Sequence, residues 1–353
     1  MNARPLISAI IPAWNAEATL QETLASVGAQ TYDNLEILIV DDGSTDRTSE
    51  IAETYSATDP RARLLRKANE GVASARNAAI EVARGEWIAP VDADDLWHPT
   101  KIEKQIAVAL EQPERPGFVY CWYQYIDVSG HVLASGPQRR FTGRALRQFA
   151  FQNPVQNGSA LLIRREAARA VGGYDPGLRA AGAEGCEDVQ IQFQLARRWP
   201  VAVVPEFLVG YRKYPGSMSS NMRQIVRSWN LVYDQLVVDN PTMPRRVVRW
   251  NASFFNILLA EDAAIRGKFG SALMHLAKGL VLDPPRWSAY IFYRLCRTAR
   301  RLAFGRRPRR EPIHFYDADP TVAISGDPDA LPRLAALYDI IDRSRLRSLE
   351  QTG

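Results

Sequence analysis

The chain has 353 residues, a formal net charge of +5, 46% apolar and 24% charged residues. These are ordinary values for a globular protein and leave room for about two domains. Cys121, Cys186 and Cys296 are scattered, which excludes a C-x-x-C zinc site or a disulfide framework and fits a reducing cytosol. No basic segment followed by a long apolar core opens the chain, and no run approaches the roughly 18 apolar residues that span a bilayer. Neither a secretory signal nor a membrane span is expected.

Ser8 to Asn15 is a short apolar run closed by Pro12-Ala13-Trp14-Asn15. Leu20, Leu24 and Val27 then recur at helical spacing. Leu35 to Val40 reads as a buried strand ending in Asp41-Asp42-Gly43-Ser44-Thr45-Asp46, a turn whose Ser or Thr can cap the helix through Ile51, Ala52 and Tyr55. Arg63 to Arg66 is a weaker strand. Gly71 opens a helix carrying Val72, Ala75 and Ala79, and Gly85 closes it. The apolar run from Glu86 to Val91 is the next strand, and it leads into Asp92-Ala93-Asp94-Asp95. On an extended chain Asp92 and Asp94 point the same way. Like charges so close favour a cation between them, and carboxylate oxygens suit Mg2+ or Mn2+ shared with substrate phosphates. A solvated acidic turn is the alternative, Asp being a common turn residue.

This β-α-β-α-β-α-β alternation predicts an α/β fold with a mostly parallel sheet flanked by helices. Ligands of such sheets bind outside the carboxyl ends of the strands. Pro12 to Trp14, Asp41-Asp42 and Asp92 to Asp95 all fall at those ends, so three distant motifs are expected to converge on one crevice.

The ordered set Pro12-Ala13-Trp14-Asn15, Val40 to Asp46, Asn69-Glu70-Gly71 with Ala75-Arg76-Asn77, and Asp92 to Asp95 resembles that of family 2 glycosyltransferases, over roughly residues 5 to 220. The resemblance implies the Rossmann-like GT-A fold and transfer from a nucleotide-diphosphate sugar, with UDP as the carrier. It also implies site residues. Asp42 contacts the nucleobase, where a carboxylate accepts the imide N–H of uracil, and Trp14 stacks on that base. Pro12, Asn15 and Asn69 belong to the same donor motifs. Arg76 meets diphosphate or sugar oxygens, Asp92 holds ribose or sugar hydroxyls beside the metal, Asp94 ligates the metal, and Asp95 supports that geometry or contacts the donor sugar.

Asn157 to Arg165 reads as a strand, followed by a helix ending near Gly172-Gly173 and a flexible stretch from Ala180 to Cys186. Glu187-Asp188 then matches the family's pair at the start of an acceptor-side helix, which makes Asp188 the general base of an inverting, in-line displacement. Acidic residues also favour a helix N-terminus by themselves. Tyr211 to Ser219 is similar to a family segment in which many members carry His where this chain has Tyr214. A neutral Tyr is a poor metal ligand, its pKa being about 10, so a third metal-side ligand is in doubt, while Arg212 and Lys213 remain to neutralise phosphate. Gln194 to Trp199 is one residue longer than the Q-x-x-R-W box of processive synthases, which favours single-sugar transfer.

After about residue 222 the pattern turns helical. Trp250, Phe254, Phe255, Leu258, Leu259 and Ala263 keep helical spacing, Gly267 breaks it, Leu273 to Leu280 restart it and Asp283-Pro284 stop it. This is similar to one tetratricopeptide-type unit, which cannot bury its own face alone. From Arg286 to Arg310 there are nine arginines and no acid, interleaved with aromatic and aliphatic residues. That composition points to an anionic membrane surface, with a solvated basic helix or a nucleic-acid contact as alternatives. No nucleic acid is expected as a partner. The expected organisation is a glycosyltransferase domain over 1–222 (nucleotide-sugar half 1–100, acceptor half 101–222), a helical extension over 223–310, and a tail over 311–353 with one helix around Leu331 to Leu346. The reading is a cytoplasmic, peripherally membrane-attached enzyme acting on a glycan, lipid-linked or other hydroxyl acceptor. A non-catalytic nucleotide-sugar sensor or scaffold is the alternative, and nucleotide binding without turnover would favour it. A nucleotidyltransferase would need a Gly-rich basic loop where Pro-Ala-Trp-Asn stands.

Overall fold

The computed structural model describes residues 4–214, 216–218, 221–304, 311–326 and 332–350. Pro215 and Ser219 of the Tyr211 to Ser219 segment, and the end of the basic segment at 305–310, lie outside the described residues.

The first half alternates as expected: β1 Ile7–Ala13, α1 Leu20–Gly28, β2 Leu35–Asp41, α2 Thr48–Thr58, β3 Ala62–Arg66, α3 Val72–Val82 and β4 Trp87–Pro90. It continues with β5 Leu96–Trp97, α4 Lys101–Glu111, β6 Phe118–Ile126, β7 Val132–Ser135, α5 Leu146–Phe151, β8 Leu161–Arg164, α6 Arg165–Ala170, α7 Gly177–Ala180, α8 Glu187–Arg198 and β9 Val201–Arg212. The helices α9 Met222–Asp239, α10 Arg245–Ile265, α11 Phe269–Leu282, α12 Pro284–Phe304 and α13 Pro332–Glu350 follow.

A nine-stranded sheet runs in the order β3-β2-β1-β4-β8-β6-β9-β5, with β7 pairing β6. The β1–β2, β2–β3, β1–β4 and β6–β9 pairs are parallel. The β4–β8, β6–β8, β5–β9 and β6–β7 pairs are antiparallel. Every residue of β1 and of β2 is buried, as parallel strands covered on both faces require. Fully burying a side chain such as Ile10 or Ile39 contributes roughly 1.5–3 kcal/mol. The order reverses direction at β1: β2 and β3 lie on one side and β4 on the other. That topological switch opens a crevice beyond the carboxyl ends of β1 and β4.

Two sequence expectations change. The chain leaves the sheet after Pro90, and the Asp95 N–H donates to the Asp92 carbonyl at 3.1 Å. The aspartates therefore sit on a tight turn, not on an extended strand with alternating side chains. The predicted strand from Asn157 begins instead with a 3-10 turn over Gly158–Ala160, capped by the Asn157 side chain accepting from the Ser159 N–H, and only Leu161–Arg164 pairs in the sheet.

The chain divides into two compact units: Met1–Leu146, Pro154–Leu236 and Ile313–Ile324 form one, and Arg147–Asn153, Val237–Pro312 and Ser325–Gly353 the other. In the first, the late segment Ile313–Ile324 returns to β6 and β7. The Val132 N–H donates to the Ile313 carbonyl at 2.8 Å and the Phe315 N–H to the Gly130 carbonyl at 2.9 Å, while Phe315 packs with Leu96 and Ile126. In the second, α10 and α11 form a hairpin turned at Gly267, whose φ is +69°. Trp287 is buried beside Ile257 and Ala260 and donates to Ser253 Oγ at 2.9 Å. Arg345 grips the buried Asp283 with two bonds of 2.7 and 2.5 Å. Among the described residues, no helix is long and apolar enough to cross a membrane.

Candidate donor and metal site

The residues singled out in the first unit meet at the switch-point crevice. Pro12 is buried in β1, and Trp14 just beyond the strand is 57% exposed. Its ring is therefore left out of the core. Asn15 adopts a left-handed φ of 48° and ties two loops, its N–H donating to Ser44 Oγ at 3.1 Å and its Oδ1 accepting from the Thr45 N–H at 2.9 Å.

Asp42 is buried, and its carboxylate accepts from Lys67 Nζ at 2.8 Å, the Glu70 N–H at 3.1 Å and the Gly71 N–H at 2.7 Å. Three of about four acceptor positions are thus filled by the protein. Asp42 pins the loop that carries Asn69, and Asn69 Oδ1 in turn accepts from Arg179 at 2.6 Å.

Arg76, on α3, is 2% exposed and bridges two carboxylates: Nη1 donates to Glu187 at 2.8 Å and Nη2 to Asp92 at 2.5 Å. Its guanidinium lies 5.0 Å above the Tyr174 ring. Burial alone would lower its pKa, but Asp92 and Glu187 more than offset this and raise it. Its Nε has no hydrogen-bond partner among the described residues. Arg76 therefore locks the aspartate turn to the first turn of α8.

The three aspartates have three environments. Asp92 keeps 31% of its side chain exposed. Asp95 is fully buried and accepts from Asn157 Nδ2 at 2.7 Å, Ser159 Oγ at 2.6 Å and the Arg212 N–H at 3.0 Å. Burial and the neighbouring carboxylates Asp94 and Asp92 push its pKa well up. Asp94 lies between these extremes. Burial first, then the charge of Asp92, pushes it up to about 6, against a hydrogen bond from Tyr214. A carboxylate disfavoured as an anion in this way gains most from a cation. Among the described residues no three His, Cys, Asp or Glu side chains group around one point.

Arg212 does not point into the crevice. Its side chain is fully buried and donates to the Asp94 carbonyl at 2.7 Å, the Asp127 and Val128 carbonyls at 3.2 and 2.5 Å, and Glu22 at 2.6 Å. Lys213, the next residue, lies near enough to Asp95 and Asp94 to feel their charges. Burial lowers its pKa to about 8, and the two aspartates act in the opposite direction.

Glu187 and Asp188 open α8, and both are buried. Glu187 also accepts from the Gly185 N–H at 3.1 Å, and Asp188 Oδ1 from the Val189 N–H at 2.8 Å. Burial, and then the charge of Glu187, push Asp188 up to about 8. Close packing brings this pair to the 3-10 turn: a Cβ added at Gly158 would lie 3.2 Å from Arg76 and 3.6 Å from the Asp188 Cβ. Sequence reasoning missed Asn157, Ser159, Lys67 and Tyr174. Each acts through a neighbour distant in the chain, and small polar residues carry no period that announces such a partner.

Residues 8–172 match the family model of Glycosyl transferase family 2. A putative teichuronic acid biosynthesis glycosyltransferase, TuaG of Bacillus subtilis, is 40% identical over 241 residues, covering 67% of this chain and 90% of that protein. The chain belongs to glycosyl transferase family 2. An uncharacterized glycosyltransferase of Rickettsia typhi, RT0329, is 35% identical over 178 residues, 50% of this chain. The match spans 55% of that relative's length. Among solved structures, the mannosyltransferase PcManGT of Pyrobaculum calidifontis, in complex with GDP-Man and Mn2+, aligns with a TM-score of 0.57 at 19% identity over 85% of this chain and 81% of its own. S. aureus TarS 1-349 in complex with UDP-GlcNAc aligns with a TM-score of 0.52 at 15% identity over 78% and 91%. At these identities the likeness establishes the GT-A fold.

Proposed function

We propose that this protein moves a sugar from a nucleotide-diphosphate donor, with UDP as carrier, onto an acceptor hydroxyl with inversion at the anomeric carbon. The observation that carries the reading is the buried bridge from Asp92 through Arg76 to Glu187, which fixes Asp188 beside the aspartate turn. An inverting displacement needs a base on one side of the anomeric carbon and a stabilised leaving group on the other. In this reading Asp188 takes the proton from the acceptor hydroxyl. The acceptor oxygen forms the new bond to the anomeric carbon while the bond to the diphosphate oxygen breaks and its electron pair leaves with the nucleotide. Asp94 holds a divalent metal, which when bound supplies charge stabilisation to the departing diphosphate. Lys213 adds positive charge on that side. Trp14 and Asp42 face the base, and Asn15, Asn69, Asp95 and Arg212 hold the loops in place. The likeness to TuaG, named as a putative teichuronic acid biosynthesis glycosyltransferase, supports a cell-envelope glycan or lipid-linked acceptor. The basic, aromatic α12 supports a peripheral position on the cytoplasmic face of a membrane.

Thermal shifts with UDP, GDP, dTDP and CDP, each with and without Mn2+, test the donor side, because a ligand bound only to the native state stabilises it by mass action. One nucleotide is expected to raise the melting temperature in a metal-dependent way, and Asp94→Asn to abolish the metal dependence. No shift with any nucleotide would refute the donor-site assignment.

A further inference from the structure

The sheet face beyond the aspartate turn carries an aromatic surface that the donor chemistry does not use. On β6, Tyr123 and Tyr125 are two residues apart and share a face. In the parallel β6–β9 register Tyr125 lies opposite Tyr211. The Tyr123 and Tyr125 ring centroids are 5.3 Å apart, Tyr125 and Tyr211 5.6 Å, and Tyr123 and Tyr211 5.8 Å. The Tyr123 and Tyr125 hydroxyls lie 3.3 Å apart, and both donate to Gln156 Oε1, at 3.2 and 3.4 Å. Lys213 closes one end, its Nζ 3.9 Å from the Tyr211 ring centre.

Burial grades across this cluster. Tyr123 is fully buried, Tyr125 and Tyr211 are partly exposed, and Gln156 is exposed. The cluster adjoins the aspartate turn. Gln156 precedes Asn157, whose Nδ2 donates to Asp95 at 2.7 Å, and Tyr211 precedes Arg212, whose N–H donates to Asp95 at 3.0 Å. The hydroxyls of Tyr123 and Tyr125 thus gather at an open glutamine, beside two rings that are not fully covered.

We propose that Tyr125 and Tyr211, rimmed by Gln156, form an acceptor subsite that takes a pyranose ring, so that the acceptor is a sugar residue of a glycan. The C–H face of a pyranose is apolar with slightly positive hydrogens, and it complements the negative face of an aromatic ring. Its equatorial hydroxyls reach the rim, where the Gln156 amide and the tyrosine hydroxyls both donate and accept. Tyr123 is a positioning residue that holds the two outer rings. The subsite rests on the transferase reading above, which makes Asp188 the reactive end.

Saturation-transfer NMR on the full chain with UDP and Mg2+ tests this, using methyl pyranosides of glucose, N-acetylglucosamine, galactose and mannose as probes. Irradiating the aromatic protons is expected to saturate ring C–H protons of at least one glycoside. The effect should vanish in the Y125A/Y211A double variant and persist in Y125F/Y211F, with UDP saturation unchanged in both. If the alanine variant loses its cooperative melt, Gln156→Ala at the exposed rim decides, with an expected loss of about tenfold in glycoside affinity. The subsite is overturned if no glycoside is saturated while UDP is, if saturation survives the alanine pair, or if a titration of the saturation signal shows glycoside affinity unchanged in Gln156→Ala. Saturation of a glycoside without any of UDP would leave the sugar subsite standing and refute UDP as the carrier.

Discussion

Asp188 and Arg76 hold opposite relations to charge, and each yields a measurable consequence. Asp188 is pushed up to about 8 by burial and by Glu187, so a base at this position works only once it has lost its proton. The kcat/KM profile is expected to rise with pH and level off above about 8, since a catalytic group is most effective when its pKa lies near the working pH. Asp188→Asn is expected to keep nucleotide binding and lose about 10²–10⁴ in kcat. Full transfer by that variant would remove Asp188 from the mechanism. Stability moves the other way. Between the unfolded value of 3.8 and about 8 the native state holds a proton that the unfolded chain has released. The free energy of unfolding therefore falls as pH rises through that window, and Asp188→Asn should flatten the slope in urea titrations at several pH values. Arg76 is the reverse case, a cation whose removal strands two carboxylates. Arg76→Met is expected to destabilise by about 3 kcal/mol, the low end for a broken buried pair, because Asp92 is partly exposed. Arg76→Lys should recover little of this, since an ammonium lacks the planar fork that reaches Asp92 and Glu187 together. A urea midpoint unchanged by Arg76→Met would show that the bridge contributes nothing to folding.

Among the elements, the loop after β2 is the most tightly determined. Gly43 has φ +73°, and a Cβ there would sit 2.8 Å from the backbone nitrogen of Asn69. Gly43→Ala should force apart the 41–46 and 67–71 loops that Asp42 ties together. Nucleotide affinity should fall at least as steeply as stability, which calorimetry with UDP beside a melting curve would separate. Unchanged nucleotide affinity would mean that these loops do not form the base pocket. The elements themselves were legible because apolar runs such as Leu35 to Val40, bounded by turn residues, admit few other structures. The sequence left the aspartate segment open between an extended strand end and a turn, because Asp is common in both and spacing alone does not separate them. Gly158-Ser159-Ala160 looks like a strand in apolar content, yet the Asn157 cap makes it a 3-10 turn. The inward course of Arg212 was illegible for another reason. Its partner Glu22 is 190 residues away, and an arginine at a strand end reads as a surface cation until the fold supplies its carbonyls. The network that shapes the site is thus a tertiary property of residues whose types alone were ordinary.

At the scale of the whole molecule, the second unit poses a question that the transfer chemistry does not answer. α12 exposes Ile291, Phe292, Leu295 and Leu302, and α11 exposes Phe269, Leu273 and Val281. Arg294, Arg297 and Arg300 lie on α12 between its apolar positions. Apolar side chains that stay in water are costly unless something covers them, and flanking arginines select an anionic surface over a neutral one. Each basic residue close to such a membrane contributes about 1 kcal/mol. Replacing Arg294, Arg297 and Arg300 with Gln should therefore weaken partition onto phosphatidylglycerol vesicles by roughly a hundredfold, and added salt should weaken the unmodified protein in the same direction. Leu295→Asp should weaken binding even at low salt, because it removes the apolar part of the attraction and leaves the charges in place. Flotation with phosphatidylglycerol and with phosphatidylcholine vesicles separates the two contributions. Equal recovery on both lipids, or recovery indifferent to the triple substitution, would rule out an electrostatic membrane contact. The exposed face of α11 and α12 would then have to be covered by protein.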